Sequence, residues 1–156
     1  MKGFVLAEEG HIVQVITPKN ITGGASGAVF SMERYQHASI IILLGVQAAQ
    51  ATKILLNQCT DASGDGATAI PFALYTQESA NADVLSARTQ QTAAGYTPTA
   101  TGGTFYVIEL DANELSDGYP YVQLEITNGA NADYASAVAV LSGARYAEAQ
   151  SPTVLT

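Results

Sequence analysis

The sequence predicts an all-β protein, an antiparallel β-sandwich of jelly-roll-like type with about eight strands. Apolar residues recur in short runs at alternating positions, the period of a strand with one buried face. Clusters of Gly, Asn, Asp, Ser and Pro separate those runs, so the chain reverses often. Length supplies the third observation: 156 residues make one domain, and folding at that size buries roughly 70% of the unfolded surface. Residues 1–147 are expected to form a single sandwich, and 148–156 a C-terminal tail, either disordered or laid as an arm on another subunit.

Taken in order, Phe4 to Leu6 and His11 to Ile16 read as one broken strand or two short ones, with Glu8-Glu9-Gly10 as a bulge or turn. Val29, Phe30 and Met32 form the next short strand, after a connection rich in glycine at 23, 24 and 27. The β-branched run from His37 to Val46 suits a central strand covered on both faces. A hairpin near Gln47 to Gln50 would bring back Ile54, Leu55 and Leu56, with a helix through Ala48 to Leu56 as the competing reading. Past the turn cluster Asp61 to Gly66, the residues Ile70, Phe72, Leu74 and Thr76 keep strand spacing, and Pro71 marks an edge strand or a strand beginning. Val84 to Thr89 reads as another short strand. The polar stretch Gln90 to Gly103 reads as a long loop that lies against a neighbour or stays mobile. Phe105 to Leu110 alternates again, and Asp111 to Gly118 is expected to form a turn of helix and a tight reversal. The run from Pro120 to Ala147 reads as a β-hairpin, with Val122, Leu124 and Ile126 on one side of its first arm, a turn at Asn128-Gly129, and Val138 in the core of its second.

Composition limits what such a sandwich can do. The charged share is 13%, against about 25% in ordinary soluble domains. A surface built from Ala, Ser, Thr, Gln and Asn suits contact with other protein, and equally a small domain with a neutral polar surface. Net charge is −8, and the six Lys and Arg are scattered singly, so no basic stripe is available to neutralise phosphates. Neither nucleic acid nor an anionic membrane is an expected partner. The N-terminus is too short in apolar residues for a secretory signal, and the longest apolar run, Ala38 to Val46, falls short of a bilayer span. A soluble protein made in a cytoplasm is expected. Cys59 is the only cysteine, which excludes an intramolecular disulfide and leaves a small buried hydrophobe.

The side chains suited to chemistry form no motif. Asp61 and Asp65 lie in a Gly-rich loop without the ligand spacing of a calcium loop. Asp111, Glu114 and Asp117 read as capping and turn residues. His11 and His37 lack metal-site spacing, and Ser31 with His37 and an Asp has no nucleophile elbow around it. The glycines of Thr22 to Gly27 lack the Lys-Ser/Thr of a phosphate loop. No enzyme activity, catalytic residue, metal or cofactor is therefore expected. Tyrosine offers contact area with a polar tip at low entropy cost, and Tyr96, Tyr119, Tyr121, Tyr134 and Tyr146 are the candidate interface residues; filling the sandwich edges is the competing role for several of the tyrosines.

The segments His37 to Ile42, Thr104 to Asp111, Asp117 to Val122 and Ala137 to Tyr146 resemble a family of small structural proteins of tailed bacteriophages and prophages, encoded near the major capsid gene. The resemblance runs over nearly the whole chain and brings no catalytic residues with it. It implies a virion component synthesised in the bacterial host cytoplasm: a decoration or cement protein on the capsid exterior, with the major capsid protein as partner and a homodimer or homotrimer as its own state. Bridging by such an oligomer would add individually modest contacts through effective concentration. A neck, tail or fibre-associated protein, or a carbohydrate-binding sandwich with Tyr96, Tyr119 and Tyr121 as stacking platforms, are the alternatives.

Overall fold

A computed structural model of the chain describes residues 3, 5–45, 53–78, 83–99, 103–127, 133–145 and 153. Two antiparallel sheets pack face to face as a β-sandwich. Strands β1 (His11–Asn20), β4 (Tyr35–Leu44), β7 (Phe72–Gln77), β8 (Thr89–Gln91), β9 (Thr104–Asp111) and β11 (Tyr134–Ala144) form the larger sheet, in the order β1-β11-β4-β9-β7-β8. The smaller sheet holds β2 (Ala25–Ser26), β10 (Tyr121–Thr127), β5 (Lys53–Cys59) and β6 (Thr68–Ala69) in that order, with β3 (Phe30–Ser31) also paired to β10. With β1, β11, β4 and β9 side by side in one sheet and β2, β10, β5 and β6 in the other, the strand order is that of a jelly roll.

Alternation explains how each strand meets the core. Ala38, Ile40, Ile42 and Leu44 of β4 point inward beside Tyr106, Ile108 and Leu110 of β9, and they face Ile54 and Leu56 of β5 and Val122, Leu124 and Ile126 of β10. Most of these side chains are fully buried, and each Val, Leu and Ile among them contributes about 1.5–3 kcal/mol relative to exposure. Pro71 sits between β6 and β7, where the chain leaves one sheet for the other, so its missing N–H costs no ladder bond.

Several expectations are corrected by the sheet assignments. The two arms of Pro120 to Ala147 are no hairpin: β10 pairs with β2, β3 and β5, whereas β11 pairs with β1 and β4 in the opposite sheet. Likewise β4 and β5 belong to different sheets, so no hairpin joins them. β4 is central but covered on one face alone, leaving Leu43 50% exposed. In β11 the inward face is Ala135, Ala137, Ala139 and Leu141, and Val138 lies half-buried on the outer face. Its apolar character had suggested the core, but the larger sheet reserves its close approach for small residues. The Val84 to Thr89 strand is displaced to β8, with Val84 73% exposed. The first apolar run is interrupted by a helical turn, α1 (Leu6–Glu9), and a 3-10 turn at Ala112–Glu114 follows β9 as expected. The turns at 47–50 and 128–132, residue Tyr146, and all of the tail but Thr153 lie outside the described residues. Thr153 is buried, its carbonyl accepting from the Ser31 amide at 3.1 Å and its hydroxyl 3.3 Å from His11 Nε2.

Candidate functional site

The outer face of the larger sheet is the first candidate. Because cross-strand partners share a face, its central row reads Gln14, Val138, Ile41, Val107 and Tyr75, and beside it run Ser136, Leu43, Phe105 and Gln77. Ile12 at 49% and Leu43 at 50% exposure are open on this face, Ile41, Val138 and Tyr75 are half-buried, and Val107 is buried among them.

At one end of that face four polar side chains meet. Register places His37 opposite Asp111 and Ser39 opposite Glu109. His37 Nδ1 lies 2.7 Å from Asp111 Oδ1, and Nε2 lies 2.7 Å from Glu109 Oε2. Carboxylate oxygens accept, so this pair of contacts favours the doubly protonated ring, in which each nitrogen donates. Burial opposes that charge, but the hydrogen bonds to Asp111 and then Glu109 outweigh it and raise the His37 pKa above 6.5. Ser39 Oγ donates to Glu109 Oε2 at 2.6 Å and lies 3.5 Å from His37 Nε2. Ser39, His37 and Asp111 thus have the connectivity of a nucleophile, base and orienting acid, on a serine that sequence reasoning did not select. Glu109 occupies the nitrogen that would have to take the serine proton, and the Ser39 hydroxyl is turned to that carboxylate instead of to the ring. The same cross-strand register was the signal that could have found this cluster.

The second candidate is at the same end of the sandwich, where β4 begins, β9 and β11 finish and β10 starts. A groove of about 540 Å³ opens between Met32–Arg34, Leu115–Pro120 and Arg145, and a neighbouring one of about 550 Å³ shares Ala112 and Arg145 with it. Its wall is preset. Gln58, buried in β5, donates from Nε2 to Ser116 Oγ and accepts from the Ser116 amide, both at 2.9 Å. The Ser116–Tyr119 turn closes with a 3.0 Å bond from the Tyr119 amide to the Ser116 carbonyl, and Gly118 supplies the positive φ of 83° that it needs.

A third cluster has a structural task. Glu78, just past β7, accepts from Tyr96 Oη at 2.7 Å, Tyr106 Oη at 2.9 Å, the Thr99 amide at 3.0 Å and the Thr99 hydroxyl. Burial opposes ionisation of Glu78, but these bonds, the Thr99 hydroxyl's first, lower its pKa. Burial and then the Glu78 carboxylate push the Tyr96 phenol up to about 12. The backbone of Tyr96 also exchanges two hydrogen bonds with Ile54, at 2.8 and 2.9 Å, tying the Gln90 to Gly103 segment across to β5.

The predicted interface tyrosines fall at two ends. Tyr119 and Tyr121 stand half-buried at the groove end; Tyr96, paired with Ile54 at the start of β5, is half-buried, and Tyr134, at the start of β11, is 61% exposed. Tyr146 is outside the described residues. Of the other sequence candidates, Asp61 Oδ1 accepts from the Ser63 and Asp65 amides at 2.8 and 3.1 Å, the work of a turn residue. His11 stacks on Tyr35 with ring centroids 5.6 Å apart. No cluster of three or more His, Cys, Asp or Glu suited to a metal ion occurs among the described residues, nor does a helix long and apolar enough to cross a membrane.

No family model and no curated protein matches the chain. Among solved structures it is similar to the SPBc2 prophage-derived protein YomS, at 13% identity over 84% of this chain and 94% of that one, with a TM-score of 0.44. It is also similar to the CBM22-1–GH10 modules of Clostridium thermocellum endo-1,4-beta-D-xylanase 10B, complexed with xylohexaose, at 9% identity over 92% of this chain and 30% of that chain, with a TM-score of 0.37. At these scores neither likeness bears on function.

Proposed function

We propose that this protein is a structural part of a tailed-bacteriophage virion, a decoration protein that seats on the outside of the head and stabilises the shell. The observation that supports this reading is the partly exposed apolar band on the outer face of the larger sheet, centred on Ile41, Val138 and Leu43 and free of charge at its middle. An apolar centre rimmed by polar groups is what a protein-binding surface needs. Here the rim includes Gln14, Gln77 and the His37 cluster. The resemblance of four segments to virion proteins points the same way, and so does the sparse charge. The role needs no catalytic step: the protein acts by binding the major capsid protein, and a dimer or trimer would multiply modest contacts.

The test is addition of purified protein to undecorated, expanded heads followed by image reconstruction. Regular copies over the shell are expected, with raised resistance of the heads to heat. Val138→Asp together with Ile41→Asp should abolish the decoration while leaving the sandwich folded. Copies confined to the portal vertex or tail would replace the head assignment with a neck or tail one, and absence from every virion part would remove the proposal.

A further inference from the structure

We propose that the groove at the end of the sandwich, between the Met32–Arg34 segment, the Ser116–Tyr119 turn and Arg145, binds a neutral saccharide. This goes beyond the assembly role and does not rest on it, because the groove is separate from the apolar band.

Three features of the groove select that ligand class. Its volume, about 540 Å³, falls within the roughly 300–1,000 Å³ of small-ligand sites. Its lining carries both signs of charge: the guanidinium residues Arg34 and Arg145 and the carboxylate residues Glu33 and Asp117. An anion or a cation would therefore meet repulsion as well as attraction, whereas a hydroxyl both donates and accepts and suits Arg145 and Asp117 alike. In a chain of net charge −8 with six Lys and Arg in all, two of them at one groove is a local concentration of donors.

Availability and rigidity complete the case. Among the described residues the side chains of Arg145, Asp117 and Tyr119 make no hydrogen bond or ion pair with one another or with the walls. They are free to engage a ligand. The walls are fixed without them, through the Gln58–Ser116 pair and through backbone bonds from the Arg145 amide to the Arg34 carbonyl and from the Met32 amide to the Pro120 carbonyl, both 2.8 Å. A groove that holds its shape while the tips of Arg145, Asp117 and Tyr119 stay unspent loses little entropy on binding. Tyr119, half-buried beside Pro120, supplies an aromatic face of the kind on which the C–H side of a pyranose packs.

The experiment is titration of the full chain, followed by NMR and calorimetry, with malto-, cello-, xylo- and manno-hexaose and, as a charged control, a deca-glutamate peptide. Saturable binding of at least one neutral hexaose is expected, with shifts centred on residues 115–120. Arg145→Ala and Tyr119→Ala should each weaken it about tenfold, and Arg145→Gln, which keeps a neutral donor, should weaken it less. Unchanged unfolding midpoints would show that these losses are not failures to fold. Absence of saturable binding by all four sugars overturns the proposal. So does sugar binding unaltered in both alanine variants, or binding of the acidic peptide in preference to every sugar.

Discussion

Replacing Glu78 by alanine should destabilise the domain by about 2–3 kcal/mol, chiefly through the partners left behind. Glu78 accepts four hydrogen bonds, but their donors differ in what they can do without it. Tyr106 is fully buried, so its hydroxyl finds no water, and an orphaned buried donor costs about 1–3 kcal/mol. Half-buried Tyr96 should add about 1 kcal/mol, whereas the exposed Thr99 rehydrates. For a domain of this size the sum is a fall in Tm of roughly 5–10 °C. A double-mutant cycle isolates the cause. Tyr106→Phe should cost about 1 kcal/mol in the native background, yet be neutral or stabilising beside Glu78→Ala, because it removes the orphan. The folded Glu78 pKa is lowered, so its ionisation contributes stability above the unfolded value, lost as pH falls through the folded one. Urea unfolding should therefore show a weaker acid dependence in Glu78→Ala. Additive costs in the cycle, or a Glu78→Ala loss below about 0.5 kcal/mol, would refute the reasoning.

Three further outcomes are expected. Because the folded His37 pKa is raised, its stabilisation is fully present below 6.5 and lost as pH rises through the folded value; the pair is partly exposed and screened, so the loss should be about 0.5–1 kcal/mol in urea titrations, and absent in His37→Gln. Val138→Asp should leave the domain folded at a cost of about 1 kcal/mol or less, whereas Ala139→Asp, which puts a carboxylate into the core, should abolish folding as read by circular dichroism. Gly95→Ala should cost about 2 kcal/mol or more in thermal unfolding, since its φ is +80° and the added Cβ would meet the Ile54 carbonyl oxygen at 2.5 Å.

Alternation told that the strands are half-buried, because burial obeys the two-residue period whatever the partner. Val122, Leu124 and Ile126 of β10, set apart from Tyr121, Gln123 and Glu125, are an example. It could not say which strands pair. The arms on either side of Asn128-Gly129 each bury one face, and that requirement is met equally by neighbours in one sheet and by strands facing one another across the core, as β10 and β11 do. In β11 the period was legible but its phase was not: Val138 looked like core, while the space opposite β4 and β1 admits Ala137 and Ala139. The His37 cluster went unseen because its members join only through the β4–β9 register, and its serine is Ser39, not Ser31. The long Gln90 to Gly103 segment looked unsupported because Glu78, which holds it, lies outside it in sequence.

The place of β4 also governs how the chain can be made. Its neighbours are β9 and β11, and β1 too must wait for β11, with His11 paired to Leu141. During synthesis the segment Ile40-Ile41-Ile42-Leu43-Leu44 therefore leaves the ribosome long before either strand that will hydrogen-bond to it, with both edges open. Closure of the larger sheet is a late and non-local event, which places refolding on the millisecond-to-second scale of high contact-order β proteins. Until then the nascent chain displays a β-branched segment open to pairing with other chains, so yield in a cell should depend on chaperone supply and temperature more than the stability of the finished sandwich would suggest.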